Sequence, residues 1–442
     1  MNWSNTPQLF ASGFSPPSAL RDLPETAPLF NDFGQPLQPL LKELRQHGGQ
    51  RMILCNCCYP PDSGQYQIAA LCPEKLLLGM SAAAALAQAD GLVLAVMESD
   101  LGNVLRAAAD LGLEAELHVL EPALCLADPG ALFQWAAGGT PMVPCAPAPD
   151  FLGRPALSAS PLVWCRVYAA VSGHGEWCGH ACLSLHSPQR PHALFEVTPQ
   201  TTWRDLIAAQ ELPDCAAVLW GGPAGLLFSG EQLSAPVLEQ VEAEAAASPI
   251  YDWSAALLPG ELCPVAFLRD WMERAHRGSC GKCVFCRIGT RQLGLIAQAV
   301  SMAKAAPEEL DTLEELAAGM AEGAACPYGR GVGAAVLRWM DLSREEFQQH
   351  IRRRRCKSLV CPGYITYHIL PEKCRGCGAC VSVCPDQAID GSGGEIHVID
   401  SRSCAKCGAC RDACPNQAIV TAGPLKPRTP KTPIPVGTWK GR

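Results

Sequence analysis

The sequence predicts a multidomain α/β and α+β protein with a helical bundle and a cysteine-rich C-terminal segment. Three observations support this prediction. The chain has 442 residues, whereas one domain typically has about 100–200. Strand-like apolar runs alternate with helical stretches in the first half, and helical periodicity dominates residues 258–355. Eight of the 25 cysteines fall within residues 374–414, so we expect bound metal clusters to hold this short segment together.

The first part of the chain contains the α/β pattern. Residues 1–35 are rich in Pro, Ser and Asn without periodicity and are predicted to form a flexible leader. Residues 36–175 are predicted to form the α/β domain, because apolar runs at 52–54 and 91–96 alternate with helical stretches such as 74–89.

The second part changes character twice. Short strands around a helix that opens at Thr201 predict a small α+β module over residues 176–240, and the helical bundle follows at residues 258–355. Three further segments complete the chain: a junction at 356–370, the cysteine-rich domain at 371–422 and a Pro-rich basic tail at 423–442. The tail is either a docking strap for a partner subunit or a solvated terminus.

The composition excludes several classes of protein. No stretch approaches the roughly 18 uninterrupted apolar residues of a membrane span, and the N-terminus lacks a basic segment followed by an apolar one, which predicts a cytoplasmic protein. The formal charge of -8 argues against nucleic acid as the main partner. Because a reducing cytoplasm keeps thiols unpaired, clustered cysteines are predicted to bind metal.

The C-terminal cysteines recur at a spacing typical of iron–sulfur proteins. The stretch Cys374-Arg-Gly-Cys377-Gly-Ala-Cys380-Val-Ser-Val-Cys384-Pro is repeated 30 residues later. In two-cluster bacterial-type ferredoxins, the cysteine before proline binds the other cluster. Two [4Fe-4S] sites are therefore predicted, a first ferredoxin set (Cys374, Cys377, Cys380, Cys414) and a second ferredoxin set (Cys404, Cys407, Cys410, Cys384). The alternative, a pair of Cys₄ zinc sites, does not account for the crossed sets and the repeated Cys-Pro.

A third group of thiols lies in the helical region. The stretch Ser279-Cys280-Gly-Lys-Cys283-Val-Phe-Cys286-Arg-Ile-Gly-Thr290 supplies three cysteines at the same intervals, and Cys326 is the nearest candidate for a fourth ligand. We name these residues the bundle set (Cys280, Cys283, Cys286, Cys326) and predict a third [4Fe-4S] cluster there. The motif resembles the cluster domain of the flavin-carrying, NADH-binding subunit of respiratory complex I. Related subunits occur in NAD-linked and bifurcating hydrogenases and in formate dehydrogenases.

The resemblance extends over roughly residues 36–422 and implies an identity for each domain. It implies an FMN-type α/β domain, a soluble-ligand-binding β-grasp (SLBB-like) module, a cluster-carrying bundle and an appended ferredoxin. In that family a Gly-rich loop and two acidic segments hold FMN and NADH. Here the loop is reduced to Gly48 and Gly49, residues 55–62 lack the acidic pair, and residues 124–128 replace Cys-Gly-Glu-Glu. We therefore expect a degenerate flavin domain kept as a scaffold, without FMN or NAD(P); the alternative is a rebuilt flavin or nucleotide pocket.

The resemblance also implies a zinc site. In hydrogenase-type relatives, a His and a Cys-x4-Cys pair before the ferredoxin, together with an earlier cysteine, resemble a structural zinc site. The matching residues form the zinc set (Cys263, His350, Cys356, Cys361). The alternative is that His350 caps its helix and the thiols are free. Another group, Cys55, Cys57 and Cys58, lacks a fourth ligand at a defined spacing and is interpreted as buried apolar residues.

Three functions are compatible with these motifs. The preferred hypothesis is an electron-transfer subunit of a hetero-oligomeric oxidoreductase, which relays electrons through three [4Fe-4S] clusters to or from another redox subunit or soluble ferredoxin. The second is a flavin-containing NAD(P)H dehydrogenase subunit that feeds the same clusters. The third is an assembly subunit whose clusters are structural, which predicts clusters that cannot be reduced. No residue is predicted to perform bond chemistry.

Overall fold

The computed structural model describes residues 23, 29–32, 34–59, 63–96, 101–120, 129–138, 150–174, 178–187, 190–245 and 252–440. The chain divides into two compact units. The first comprises residues up to Gly260, Met272–Arg291 and Leu316–Arg338, and the second comprises Glu261–Trp271, Gln292–Glu315 and Trp339–Arg442. Most of the predicted leader lies outside the described residues, although Leu23 and Leu29 are buried in the core of the first unit.

The first unit contains a five-stranded sheet in the region predicted to be α/β. Its strands are β1 (Met52–Asn56), β2 (Gly91–Val96), β3 (Ala115–Val119), β4 (Asp150–Phe151) and β5 (Arg154–Ala159), in the order β3-β2-β1-β5-β4. β1 pairs in parallel with β2 and β5, β2 pairs in parallel with β3, and β4 is antiparallel to β5. The helices are α1 (Leu37–Gln46), α2 (Gly64–Leu71), α3 (Pro73–Ala87), α4 (Leu101–Asp110), α5 (Pro129–Ala136) and α6 (Pro161–Val171).

The central strand of this sheet is covered by close helix packing. All five residues of β1 are buried, as expected for a parallel strand with helices on both faces. Helices α3 and α6 approach so closely that a side chain at Gly79 would clash with the carbonyl oxygen of Trp164. The indole N–H of Trp164 donates to the carbonyl of Leu54 over 3.2 Å. These contacts attach α6 to the middle of the sheet.

A second, mixed sheet belongs to the same unit. It contains β6 (Ala181–Ser187), β7 (Arg190–Val197), β8 (Cys215–Trp220), β9 (Leu226–Ser229) and β10 (Ser254–Pro259), in the order β7-β6-β10-β8-β9, together with helices α7 (Trp203–Ala209) and α8 (Val237–Ala245). Helix α7 begins with a capping box between Thr202 and Asp205. Strand β10 pairs in parallel with β6 and antiparallel with β8. The module therefore extends beyond residue 240, the end that the sequence pattern suggested.

The predicted bundle region is helical. It contains α9 (Pro264–Arg277), α10 (Val284–Ser301), α11 (Glu309–Gly323), α12 (Pro327–Leu342) and α13 (Arg344–Arg352). The limits of the two units fall within the first four of these helices. Within the described ranges no single helix is long and apolar enough to cross a membrane, and α2 and α3 pass that test only when the bent pair is taken together.

The C-terminal part of the second unit is a small module of short elements. These are β11 (Thr366–Ile369), α14 (Ala379–Ser382), β12 (Ile389–Asp390), β13 (Glu395–Ile396), β14 (Val398–Ile399), α15 (Ala409–Asp412), β15 (Ile419–Ala422) and β16 (Ile434–Pro435). Strands pair antiparallel as β11 with β15, β12 with β14 and β13 with β16. Strand β16 belongs to the predicted tail, and Ile434, Val436 and Trp439 pack against the core of this module. The described part of the tail is therefore packed on the C-terminal module.

Candidate iron–sulfur and zinc sites

The first ferredoxin set lines one cavity of the C-terminal module. Its four thiols surround this cavity together with Ile369, Ile419 and His397. Three of the thiols come from the first cysteine repeat, whereas Cys414 comes from the second. Cys374 and Cys380 are buried and Cys377 is exposed, so the cavity lies just beneath the surface of the module.

The second ferredoxin set lines a second cavity in the same way. Here Cys384 of the first repeat joins three thiols of the second repeat, and Tyr367, Ile389 and Ile399 complete the wall. Cys407 is exposed, like its counterpart Cys377. The crossed sets expected from the sequence are thus brought together, one set in each cavity.

Local backbone geometry explains how the repeats present these thiols. The short helices α14 and α15 each begin after a left-handed glycine, Gly378 with φ 74° and Gly408 with φ 83°, a conformation that glycine adopts without steric cost. The helices carry Cys380 and Cys410. The left-handed glycine in each repeat therefore turns the backbone, so that the middle of each cysteine motif lies against one cavity.

Backbone amides point at the thiols that precede each proline. The N–H of Ala388 donates to the sulfur of Cys384 and the N–H of Ala418 donates to that of Cys414, both over 3.3 Å. Such bonds favour the thiolate, the form that binds metal. Burial acts in the opposite sense and raises the pKa of Cys380 to about 11. A bound cation that replaces the proton would compensate for this burial.

The bundle set lies in the first unit, at the starts of α10 and α12. The N–H of Ala325, next to Cys326, donates to the sulfur of Cys283 over 3.4 Å, which joins the two segments. The Oγ of Ser279 lies 3.2 Å from the sulfur of Cys286. Burial raises the pKa of Cys326, and the thiols of Cys280 and Cys283 raise it further. The hydrogen bond from Ala325 to Cys283 is the contact that brings the segment of Cys326 to the three-cysteine motif.

The zinc set lies in the second unit and is compact. Its four ligand atoms all lie within 4.8 Å of one another and all four residues are buried. The sulfur of Cys263 lies 3.4 Å from Nε2 of His350, 3.4 Å from the sulfur of Cys361 and 3.8 Å from that of Cys356. A tetrahedron with Zn–S bonds of about 2.3 Å requires sulfurs about 3.8 Å apart. The four residues therefore fit a tetrahedral zinc site in which every ligand comes from the protein.

The imidazole of this set is oriented for ligation. Nδ1 of His350 lies 2.7 Å from the carbonyl oxygen of Glu346, so Nε2 is directed to the thiols, an arrangement common in zinc-binding histidines. Burial lowers the pKa of His350, but hydrogen bonds with Cys263 and Cys356 outweigh it and raise the pKa to about 10. His350 lies in the last turn of α13, so the alternative role at the end of this helix stays open beside ligation.

The N-terminal cysteine group is different. The sulfurs of Cys55 and Cys57 lie 3.5 Å apart, and Cys58 is buried beside them. Burial is the main cause that raises the pKa of Cys55 and of Cys58, which keeps these thiols neutral. Within the part of the chain that the structure describes, no His, Cys, Asp or Glu joins them in a compact ligand group.

The structure describes some of the segments that correspond to those that bind FMN and NADH in the family. Only residues 47–51 separate α1 from β1, and Gly48 and Gly49 lie in this short connection. Residues 124–128 and Asp62 lie outside the described residues. His397 and Tyr367, which line the first and the second cavity, were not singled out from the sequence. The 30-residue repeat relates their positions and is the signal that could have drawn attention to them.

Comparison with known proteins identifies two iron–sulfur domains. Residues 266–350 match the NADH-ubiquinone oxidoreductase-F iron-sulfur binding region, and residues 373–419 match a 4Fe-4S dicluster domain. The prediction that this chain is an iron–sulfur protein related to electron-transfer subunits of this kind is confirmed.

Individual relatives share parts of this chain. The HndC subunit of the NADP-reducing hydrogenase of Solidesulfovibrio fructosivorans is 33% identical over 41% of this chain and 37% of its own length. The NADH-quinone oxidoreductase F subunit of Streptomyces coelicolor is 29% identical over 31% of this chain and 30% of its own length. The chain thus spans less than half the length of these curated relatives. The predicted resemblance is confirmed.

A solved structure supports the fold. The crystal structure of an NAD+-reducing [NiFe]-hydrogenase in the H2-reduced state has a TM-score of 0.64, with 20% identity, over 74% of this chain and 61% of that chain. At this identity the likeness concerns the fold alone. It supports a mixed α/β architecture.

Proposed function

We propose that this chain is an electron-relay subunit of a multisubunit oxidoreductase. Three [4Fe-4S] clusters are held by the bundle set and by the first and second ferredoxin sets. The observation that carries the proposal is the crossed arrangement of eight thiols around two cavities. Two separate zinc ions do not require such crossing, whereas two-cluster ferredoxins use it.

The residues around each cavity suit one-electron transfer. A bound [4Fe-4S] cluster supplies a one-electron carrier. Ile369 and Ile419 shield the first cavity, and Ile389 and Ile399 shield the second. The exposed residues Cys377 and Cys407 bring one corner of each site to the surface, where a partner subunit or a soluble ferredoxin approaches.

We further propose a structural zinc ion at the zinc set. The ligands are contributed from the start of α9, from α13 and from the junction after it. Four protein ligands leave no open position, which is typical of structural rather than catalytic zinc. The ion would fix the junction at residues 356–370 to the helices of the second unit.

The α/β domain at residues 36–175 is proposed to be a degenerate flavin domain, with an SLBB-like module after it. The connection of residues 47–51 between α1 and β1 supports the loss of the flavin-binding loop. Electrons would then enter from another redox subunit. The alternative is a flavin-containing NAD(P)H dehydrogenase subunit, which the likeness to an NAD+-reducing hydrogenase favours.

Metal and flavin analysis of one anaerobic preparation tests this proposal. We expect about 12 iron and 12 sulfide per chain, from three clusters of four, about one zinc and no flavin. A content of about 8 iron would remove one cluster from the proposal. Stoichiometric flavin with clusters that NADH reduces would overturn the scaffold interpretation and favour the dehydrogenase.

A matched control separates ligand thiols from other cysteines. Cys215 is half-buried and its thiol donates to the carbonyl of Ala217 over 3.2 Å. Cys215→Ser should therefore retain the full iron and zinc content. Loss of iron in this variant would mean that cysteine substitution disturbs the protein generally.

A further inference from the structure

The 30-residue repeat extends beyond the cysteines to the walls of the two cavities. Tyr367 and Ile369 precede the first cysteine motif, and His397 and Ile399 occupy the corresponding positions before the second. Tyr367 and Ile399 line the cavity of the second ferredoxin set, whereas His397 and Ile369 line that of the first. The two cavities are therefore related by the repeat but carry different polar side chains.

His397 is a buried polar residue without a protein partner for one nitrogen. The residue is 2% exposed, and Nε2 has no hydrogen-bond partner among the described residues. Buried polar atoms are almost always hydrogen-bonded. An acceptor that occupies the adjoining cavity accounts for this unpartnered nitrogen.

The position of the ring is fixed by the backbone around it. His397 lies between β13 and β14, and Gly391 packs against it. A side chain at Gly391, where φ is 137°, would lie 2.9 Å from Cδ2 of the His397 ring. The ring is thus confined to the wall that it shares with the first ferredoxin set.

We propose that His397 donates its Nε2–H to a sulfur of the cluster in the first cavity and raises the reduction potential of that cluster. The proposal rests on the proposed function, because it requires a [4Fe-4S] cluster at the first ferredoxin set. Reduction adds one electron to the cluster, and a hydrogen bond to sulfur stabilises the more negative form. Removal of the donor therefore makes the first cluster harder to reduce.

The test is a redox titration of the full chain, followed by electron paramagnetic resonance, for the unsubstituted protein and three variants. In His397→Phe, the ratio of reduced to oxidised first cluster at a fixed potential should fall about tenfold, which is a shift of about 59 mV for one electron. His397→Gln, which keeps an N–H donor, should restore part of this shift. Tyr367→Phe changes the corresponding residue of the other cavity and should leave the first cluster unchanged.

Iron and sulfide analysis of each sample separates two kinds of failure. If the iron content of the protein does not depend on the Cys374 thiol, no cluster is bound at the first ferredoxin set. The proposed function then fails, and the role of His397 fails with it. If His397→Phe holds the full iron content and its first cluster keeps its potential, the role of His397 is wrong and the relay stands.

If His397→Phe does not bind its clusters, a second measurement on the unsubstituted protein and His397→Gln tests the same hydrogen bond. The reduced unsubstituted protein, grown with ¹⁵N-histidine, should show a ¹⁵N hyperfine coupling to one cluster in electron–nuclear double resonance. The coupling should be absent in His397→Gln. Absence of the coupling in the unsubstituted protein, or its persistence in His397→Gln, would overturn the proposal.

Discussion

Cys414 lines the same cavity as Cys374, although the two residues belong to different copies of the cysteine repeat. Cys384 and Cys404 are related in the same way in the second cavity. Each repeat therefore supplies three proposed ligands to one cluster and one to the other. Each cluster site therefore takes one ligand from the repeat that supplies three ligands to the other site.

The crossing can be tested by combining substitutions. Cys374→Ser and Cys414→Ser remove ligands of the same proposed cluster, so the double variant should lose about 4 iron, no more than either single variant. Cys404→Ser combined with Cys414→Ser should lose about 8 iron, because it damages both clusters. Iron analysis after anaerobic purification gives the answer. Equal losses in the two double variants would contradict the crossed assignment.

The fourth ligand of the bundle cluster gives a second prediction. Cys326→Ser should lose about 4 iron and one of the three resonance signals, while the ferredoxin signals persist, since Cys326 belongs to a separate set of thiols. Cys215→Ser is the control, because its sulfur bonds only to backbone in the described contacts. Retention of the third signal in Cys326→Ser would mean that another residue completes this site.

The zinc set predicts a loss of stability when a ligand is removed. His350→Ala should release the zinc and so lower the free energy of unfolding of the second unit. If the free zinc concentration is about 1,000 times the dissociation constant of the unsubstituted site, the loss should be about 4 kcal/mol. Calorimetry and zinc analysis of the same samples measure both effects. His368→Ala is a suitable control, because His368 is partly exposed in β11 and bonds to Thr366. Full zinc content in His350→Ala would exclude His350 as a ligand.

The packing of α3 on α6 predicts a strong effect of one methyl group. Gly79→Ala would place a carbon against the carbonyl oxygen of Trp164, and such overpacking typically costs about 1–3 kcal/mol or more. Gly102→Ala in α4 is the control, because in the described part of the chain no atom beyond its chain neighbours and its own helix lies within 4 Å of the new carbon. This variant should be neutral or stabilising by up to about 1 kcal/mol. Thermal unfolding of the two variants compares them directly, and equal melting temperatures would contradict this close approach.

The sequence was most informative for the cluster sites, where the chemistry of the ligands fixes the spacing of the cysteines along the chain. Ligands of one cluster must recur at short intervals, so the cysteine motifs and the exchange of Cys384 and Cys414 could be predicted from local patterns. Cys263 was assigned to the zinc set only by resemblance, since it lies far from His350 along the chain and packing alone brings them to 3.4 Å.

Long-range pairing explains what local patterns could not predict. Strand β10 joins the second sheet between β6 and β8 although it follows residue 240. Ile434 and Trp439 pack on the ferredoxin module although the tail composition is that of a solvated segment. In both cases tertiary contacts determine the result, and periodicity within one segment contains no information about its partner.

The most direct test of the relay is to count reducible clusters under two reductants. Dithionite reduction of the anaerobic full chain should give about three unpaired spins, one from each [4Fe-4S] cluster, and NADH alone should give none, because electrons enter through another subunit. After the dithionite has been removed, added oxidised ferredoxin should accept one electron from each reduced cluster and so abolish the signals of these clusters. No dithionite-dependent spins would indicate structural clusters, and reduction by NADH alone would show that this chain is itself the point of electron entry.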